Sequence, residues 1–328
     1  RRGSGGRRHR DLEQAEENMY EVTEKILREV RKVIVGKDDV VEKVWISILA
    51  QGHVLLEDVP GVGKTTMALA FSKALGLETK RVQFTPDTMP SDIIGFSLPE
   101  QGRMVYQPGA VMTNLLLADE INRTSSKTQA ALLEVMEEGN VTVDGVTRKV
   151  PEPFVVIATE NPAGSVGTQL LPESQLDRFM ICTSLGYPSL ENEIAIVKGR
   201  QIQDDKAVLQ PVINAEQLLY CKKLVEQIYM ADDIYRYLCE LCQTTRTNPL
   251  IELGVSPRGS VALMRISKAI AFLHGRDYVI PGDIDEIFLD VAAHRLVRSA
   301  KAKAAKRSAE SILIEVMQNV KKPTAARR

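Results

Sequence analysis

A short apolar run, Val54-Leu55-Leu56, leads into Pro60-Gly61-Val62-Gly63-Lys64-Thr65-Thr66, and a helical apolar pattern (Met67, Ala68, Ala70, Phe71) follows at once. No other stretch limits the fold so tightly. Strand, glycine-rich loop and helix N-terminus, in that order, are the setting a phosphate cradle needs. Glycines let the backbone turn so that successive N–H groups face one anion. The helix N-terminus adds partial positive charge. In such a loop Lys64 reaches the β- and γ-phosphates, and Thr65 offers its hydroxyl to Mg2+. The full pattern also asks for Gly six positions before the Lys, where this chain has Asp58; Gly61 and Gly63 remain.

Over residues 53–183 short apolar runs alternate with helical stretches. The runs are His53 to Glu57, Arg81 to Phe84, Leu115 to Ala118, Phe154 to Thr159 and Phe179 to Thr183; Lys64 to Leu75 and Ser125 to Glu138 read as helices. Such alternation predicts a parallel sheet covered by helices. Strands buried on both faces read as unbroken apolar runs. After Tyr187-Pro188 the strand pattern stops, and helices are expected near 190–203, 214–228, 231–246, 257–275, 281–295 and 308–320, with Asn214 and Asp283 as N-caps. The domains expected are a flexible basic tail (1–18), an α/β nucleotide-binding domain (19–189), a helical lid (190–322) and a short tail (323–328).

Leu115-Leu116-Leu117-Ala118 ends in Asp119-Glu120. Four apolar residues followed by two carboxylates put both acids at the C-terminal edge of a buried strand, where open α/β sheets bind ligands. Asp119 would hold the Mg2+ shell, and Glu120 would polarise the attacking water. Asn161 follows the apolar run Phe154 to Ala158, so it also sits at a strand end, as a water or γ-phosphate contact or as an Asn-Pro turn initiator. With the loop, these residues point to binding of ATP with Mg2+.

In this order the motifs resemble the AAA+ ATPases, and within them the MoxR family of the helix-2-insert clade. Leu115 to Arg123 (LLLADEINR) resembles its extended Walker B block, and Ala158 to Pro162 (ATENP) its sensor 1. Leu171 to Phe179 (LPESQLDRF) resembles its arginine-finger segment, with Ser174 where Ala is commoner, and Gly254 to Gly259 (GVSPRG) its sensor 2. Val35-Gly36-Lys37 departs from the usual Val-Gly-Gln near the adenine. The resemblance implies a P-loop AAA+ fold of five parallel strands with a smaller all-α lid. It implies a ring oligomer, a hexamer, in which Arg178 acts in trans. Arg258 would carry nucleotide state into the lid or act across the subunit boundary. It also implies a chaperone-like motor that remodels or matures a partner, with metal or cofactor insertion one form of that work. Partners in the family often carry a von Willebrand factor A domain.

Residues 86–112, with Gly95, Gly102 and Gly109, resemble the helix-2 insert hairpin. Residues 140–153 read as a second hairpin around Asp144-Gly145. Its Arg148 and Lys149 are read as an ordinary basic edge rather than a nucleic-acid contact. Cys239-Glu-Leu-Cys242 has metal-knuckle spacing but lies in a helical pattern with no second pair, so burial is the favoured reading. His53 is read as structural.

Charge bears on the rival functions. The 42 basic and 43 acidic residues nearly cancel, yet residues 1–10 carry five Arg and no acid, and residues 301–328 carry eight bases against two acids. The body between is acidic, which argues against a nucleic-acid motor of the same clade. A low-turnover nucleotide-gated scaffold and a Mg-chelatase-type subunit are two more rivals. No apolar run approaches the ~20 residues of a membrane span. The basic start is not followed by the apolar stretch of a secretory signal. The first residue is Arg, so the native N-terminus is expected to be processed or to lie upstream. Four cysteines fit a reducing, cytoplasmic setting.

Overall fold

The computed structural model describes residues 21–57, 63–161, 170–202 and 209–324. Pro60, Gly61 and Val62 of the loop, the tail 1–18 and residues 325–328 lie outside them.

Two helices open the chain: α1 over residues 21–31 and α2 (Asp38–Leu49). Their apolar positions recur at helical spacing, so Ile26, Val30, Val41, Val44, Trp45 and Ile48 share one buried face. The chain then enters β1 (Val54–Glu57) and α3 (Lys64–Ala74). Next come β2 (Thr79–Gln83), the short α4 (Pro90–Ile94), β3 (Gly95–Glu100), β4 (Arg103–Pro108) and β5 (Leu115–Asp119). After α5 (Ser126–Glu138) follow β6 (Asn140–Val143), β7 (Val146–Lys149), β8 (Val155–Glu160), the single turn α6 (Glu173–Leu176) and β9 (Ile181–Thr183).

The five strands of the main sheet lie in the order β2-β5-β8-β1-β9, every neighbouring pair parallel. Every residue of β5 and β8 is buried, which is why both read as unbroken runs in the sequence. β2 sits at the edge and is mostly exposed, so its polar Thr79 and Lys80 are tolerated. It therefore starts before the apolar run expected at Arg81, and Phe84 lies past its end, its N–H on Asp119 O at 2.9 Å. Both expected hairpins form, β3 with β4 and β6 with β7. Gln101-Gly102 and Asp144-Gly145 turn them with positive φ at both residues, the twist a two-residue hairpin turn requires.

The remaining chain is α7 (Leu190–Ile202), α8 (Ala215–Gln227), α9 (Asp232–Thr247), β10 (Ile251–Leu253), α10 (Pro257–Leu273), α11 (Pro281–Ala292), β11 (Val297–Arg298), α12 (Ala300–Ala304) and α13 (Ala309–Asn319). β10 and β11 form an antiparallel pair too short to leave a pattern in the sequence. Asn214 caps α8, its side chain accepting from Gln217 N–H at 2.9 Å. Asp283 does not cap α11 as expected. Pro281 fixes the first helical position, so Asp283 falls three residues past the cap Ile280, where its carboxylate takes Ile280 N–H (2.8 Å) and pairs with Arg276. α10 packs against α2, α9 and α11, so the core runs from the sheet into the helical part. Each fully buried Leu or Ile there contributes about 1.5–3 kcal/mol relative to exposure.

Candidate active site

The edge where β1, β5 and β8 end collects the expected residues. Gly63 caps α3 with φ +100, a left-handed conformation, and a Cβ there would meet nothing within 4 Å, so the site favours glycine for its backbone rather than for space. Lys64 opens the helix and is buried; Thr65 is half-buried and Thr66 exposed. The first turn of α3 carries no acidic side chain, so its N–H groups and dipole are not offset from within the turn.

Asp119 closes β5 and is buried. Its Oδ2 accepts from Arg81 Nε at 2.6 Å, and its Oδ1 accepts from Thr159 Oγ1 at 3.2 Å. Glu120 then leaves the strand with φ 56 and ψ 51. A non-glycine residue held there costs about 1–2 kcal/mol. The same turn lets its N–H reach Thr159 Oγ1 at 2.9 Å. Thr159 thus holds both acids from the neighbouring strand. The Glu120 carboxylate accepts from Arg123 Nη1 at 2.8 Å and from Asn161 Nδ2 at 3.5 Å. Asn161 Oδ1 is buried with no partner, an acceptor left for a ligand or water.

A second acidic pair lies beside this one. Glu57 and Glu160 are register partners at the ends of β1 and β8. Burial pushes the Glu160 carboxyl well above the usual range, and a hydrogen bond and the charge of Glu57 push it further, against the pull of Lys64. Glu160 is therefore the carboxyl inclined to keep its proton, beside Glu57 and within the field of Lys64. Cys182 on β9 is also driven up, by burial first and then by Glu57, so it is no nucleophile.

Arg178 and Arg258 are not paired with these acids. Arg178 follows α6, and Arg258 stands in the first turn of α10. Both pair with Glu137 in the last turn of α5, Arg178 Nη2 at 3.3 Å from Oε2 and Arg258 Nη2 on Oε1. Arg258 also lies 3.8 Å from Asp177 Oδ2. Arg265 and Arg295 line the same cleft. Arg295 is buried and matches every guanidinium N–H. It donates to Asp177 Oδ1 (2.8 Å), Asp177 O (3.1 Å), Phe179 O (2.7 Å), Met180 O (3.0 Å) and Val291 O (2.6 Å).

The site therefore has two parts: a strand-end cluster of Lys64, Asp119, Glu120 and Asn161, and an arginine cleft. Sequence reasoning misses Arg81, Thr159, Glu137 and Arg295. It assigns no role to Arg123 either, although the spacing of three from Glu120 is a usable signal. Of the remaining candidates, Arg148 stacks over the Tyr106 ring at 4.0 Å, tying one hairpin to the other. Cys239 is exposed and Cys242 buried, and the described residues hold no cluster of three or more metal-ligating His, Cys, Asp or Glu. His53 is buried, with Nδ1 accepting from Val156 N–H (2.9 Å), so Nε2 carries the proton and donates to Met136 O (3.1 Å).

The donors suit the expected ligands. Asp119 and Thr65 are the hard oxygen donors Mg2+ takes, and α3 presents a long helix N-terminus to phosphate. Among the described residues no helix is long and apolar enough to cross a membrane.

Comparison with known proteins agrees with this geometry. Residues 53–181 match the ATPase family associated with various cellular activities (AAA), and residues 243–316 match the AAA lid domain. An uncharacterized protein, YeaC, of Bacillus subtilis (strain 168) is 46% identical over 94% of this chain and 97% of its own. Chaperone MoxR1 of Mycobacterium tuberculosis is 38% identical over 92% of this chain and 82% of its own. A crystal structure of a candidate ATPase from Cytophaga hutchinsonii superposes with TM-score 0.91 at 33% identity, covering 97% of this chain and 99% of that one. By these motifs, this fold and these relatives, the chain belongs to the MoxR family of AAA+ ATPases.

Proposed function

We propose that the chain hydrolyses ATP to ADP and phosphate in a ring oligomer, a hexamer, and uses the cycle to remodel or mature a partner protein in the cytoplasm. The observation that carries this reading is the strand-end cluster, in which Thr159 fixes Asp119 and Glu120 side by side while Asn161 Oδ1 is left without a partner.

The residues divide the work as follows. Pro60 to Thr66 and Lys64 bind the phosphates, with the N-terminus of α3 behind them. Thr65 and Asp119 would hold Mg2+, which would supply neutralisation of the phosphate oxygens. Glu120 accepts a hydrogen bond from the attacking water, and its αL backbone aims it off the strand edge. Asn161 fixes the same water or the γ-phosphate. Water oxygen bonds to the γ-phosphorus as the bond to the β-bridging oxygen breaks, and ADP leaves. Arg178 of one subunit supplies a planar cation to the phosphoryl group on its neighbour. Arg258 works at the same boundary or within its own lid.

The domains proposed are the α/β body of residues 19–189 and the lid of residues 190–322. The client is a protein, and one with a von Willebrand factor A domain or one awaiting a metal or cofactor fits the family. Nucleic acid is disfavoured, because Arg148 is engaged with Tyr106 and the body is acidic. Two tests bear on this reading. Lys64→Ala should abolish nucleotide binding, and retained tight binding would remove the loop from the mechanism. Mixing Lys64→Ala with Arg178→Ala subunits should restore turnover at mixed interfaces, whereas no recovery would exclude action in trans.

A further inference from the structure

Glu137 is a carboxylate in an unfavourable place. It stands in the last turn of α5, where the helix dipole is negative and no basic residue offsets it. A carboxylate at a helix C-terminus is destabilising unless something nearby compensates. Here Arg178 and Arg258 compensate, one on each oxygen. The pairing uses one terminal N–H of each guanidinium. Arg178 Nε remains buried with no partner, and both side chains stay part-exposed in the shared cleft.

The rest of the cleft fixes the two arginines relative to each other. Arg295 grips the carbonyls of Asp177, Phe179 and Met180, so it holds the backbone on both sides of Arg178. Ser256 caps α10 by accepting Gly259 N–H at 3.2 Å and donates to Asp177 Oδ2 at 2.7 Å. The helix that carries Arg258 is thereby tied to the residue before Arg178. Gly259 permits this: a Cβ there would lie 2.8 Å from Arg295 Cδ. Two of the three corners are set by the backbone, and Glu137 closes the third from the α/β body.

We propose that Glu137 is a positioning residue that holds Arg178 and Arg258 as one two-pronged anion clamp, presented to the terminal phosphate of a nucleotide bound to a second copy of this chain. The inference rests on the ATPase reading above. Glu137 touches neither nucleotide nor water; it acts through the two guanidiniums, leaving exposed terminal N–H groups of the two forks for phosphate oxygens. Its loss should therefore lower kcat and leave ATP binding at the subunit's own loop intact.

The experiment uses the full chain and measures phosphate release against ATP concentration for wild type, Glu137→Ala, Glu137→Gln, Arg178→Ala and the double variant Glu137→Ala/Arg178→Ala. Glu137→Ala should cut kcat about 10- to 100-fold, the scale for misplacing a group without removing it. KM for ATP should stay within about threefold, a split that general loosening of the fold would not give. Glu137→Gln, which keeps shape and one acceptor, should fall between. The double variant should be no more than about twofold below Arg178→Ala, because the two act as a unit. Mixing Glu137→Ala with Lys64→Ala subunits should restore activity, since the second supplies an intact clamp. Wild-type kcat in Glu137→Ala, a rise in kcat, a multiplicative double variant, or no recovery on mixing where Arg178→Ala does recover would each overturn the role of Glu137 while leaving the ATPase reading standing. A wild-type chain without turnover would overturn both.

Discussion

Replacing Arg295 by Met keeps the length of the side chain and removes its charge and all five donors. The side chain is 2% exposed, so water does not replace what is lost. Breaking a buried ion pair by deleting one partner costs roughly 3–5 kcal/mol, mostly from the charge left behind. Asp177 is 16% exposed and keeps Ser256 Oγ, which places this contribution at the low end. Phe179 O keeps His294 Nε2 at 3.0 Å, but Asp177 O and Met180 O lose their bonds to the guanidinium. A buried acceptor left unsatisfied costs about 1–3 kcal/mol. Non-additivity trims the sum, and the expected loss is about 4 kcal/mol. At roughly 2–4 °C per kcal/mol for a domain of this size, Tm should fall by about 8–16 °C. Trp45 is the only tryptophan and is fully buried against the core that α10 joins, so urea unfolding followed by its fluorescence reads the change directly. Arg295→Lys keeps the charge but not the planar fork, and should recover only part of the loss. A Met variant within about 1 kcal/mol of wild type at unchanged m would refute the reasoning.

Two further expectations follow from buried polar groups near the sheet. Thr159→Val keeps the shape but orphans Glu120 N–H and frees Asp119 Oδ1; phosphate release should drop at least tenfold, roughly the effect of losing one such bond in the transition state, with ATP binding retained by titration. His53 is held neutral, its pKa pushed down to about 4 by burial, while in the unfolded chain it titrates near 6.5. The unfolded state alone takes up the proton between those values. Stability is therefore full above about pH 6.5 and lost as pH falls toward 4, by up to ~1.4 kcal/mol per pH unit from this group. His53→Asn should flatten the urea midpoint between pH 7 and pH 5, and an unchanged slope would remove His53 as the cause.

The sheet is legible in the sequence because its central strands are buried on both faces and carry no polar interruption before their last residues, as Leu115 to Ala118 and Phe154 to Ala158 show. The edge strand β2 begins two residues before its apolar run, because exposed Thr79 and Lys80 give no apolar signal. The strand-end acids and Asn161 are legible from where apolar runs stop. Their fixation is not. Thr159 reaches Asp119 only because β5 and β8 pair with Ala118 opposite Ala158, and no local pattern encodes that register. Arg81 meets Asp119 through the pairing of Gln83 with Asp119 on the other side of β5. Glu137, Asp177 and Arg295 are separated by 40 residues or more along the chain and meet only when the helical part packs against the sheet. The start of α11 is ambiguous for a related reason: an Asp serves equally as a cap or at the third helical position, and only Pro281 decides between them for Asp283.

Glu120→Gln probes the strand-end cluster most directly, because it removes the charge that would polarise water and leaves every phosphate contact in place. ATP affinity, read by equilibrium titration, should stay within about threefold of wild type, and phosphate release should fall by roughly 100-fold or more. Turnover near the wild-type rate in this variant would contradict the assignment of Glu120 and, with it, the hydrolytic mechanism built on the end of β5.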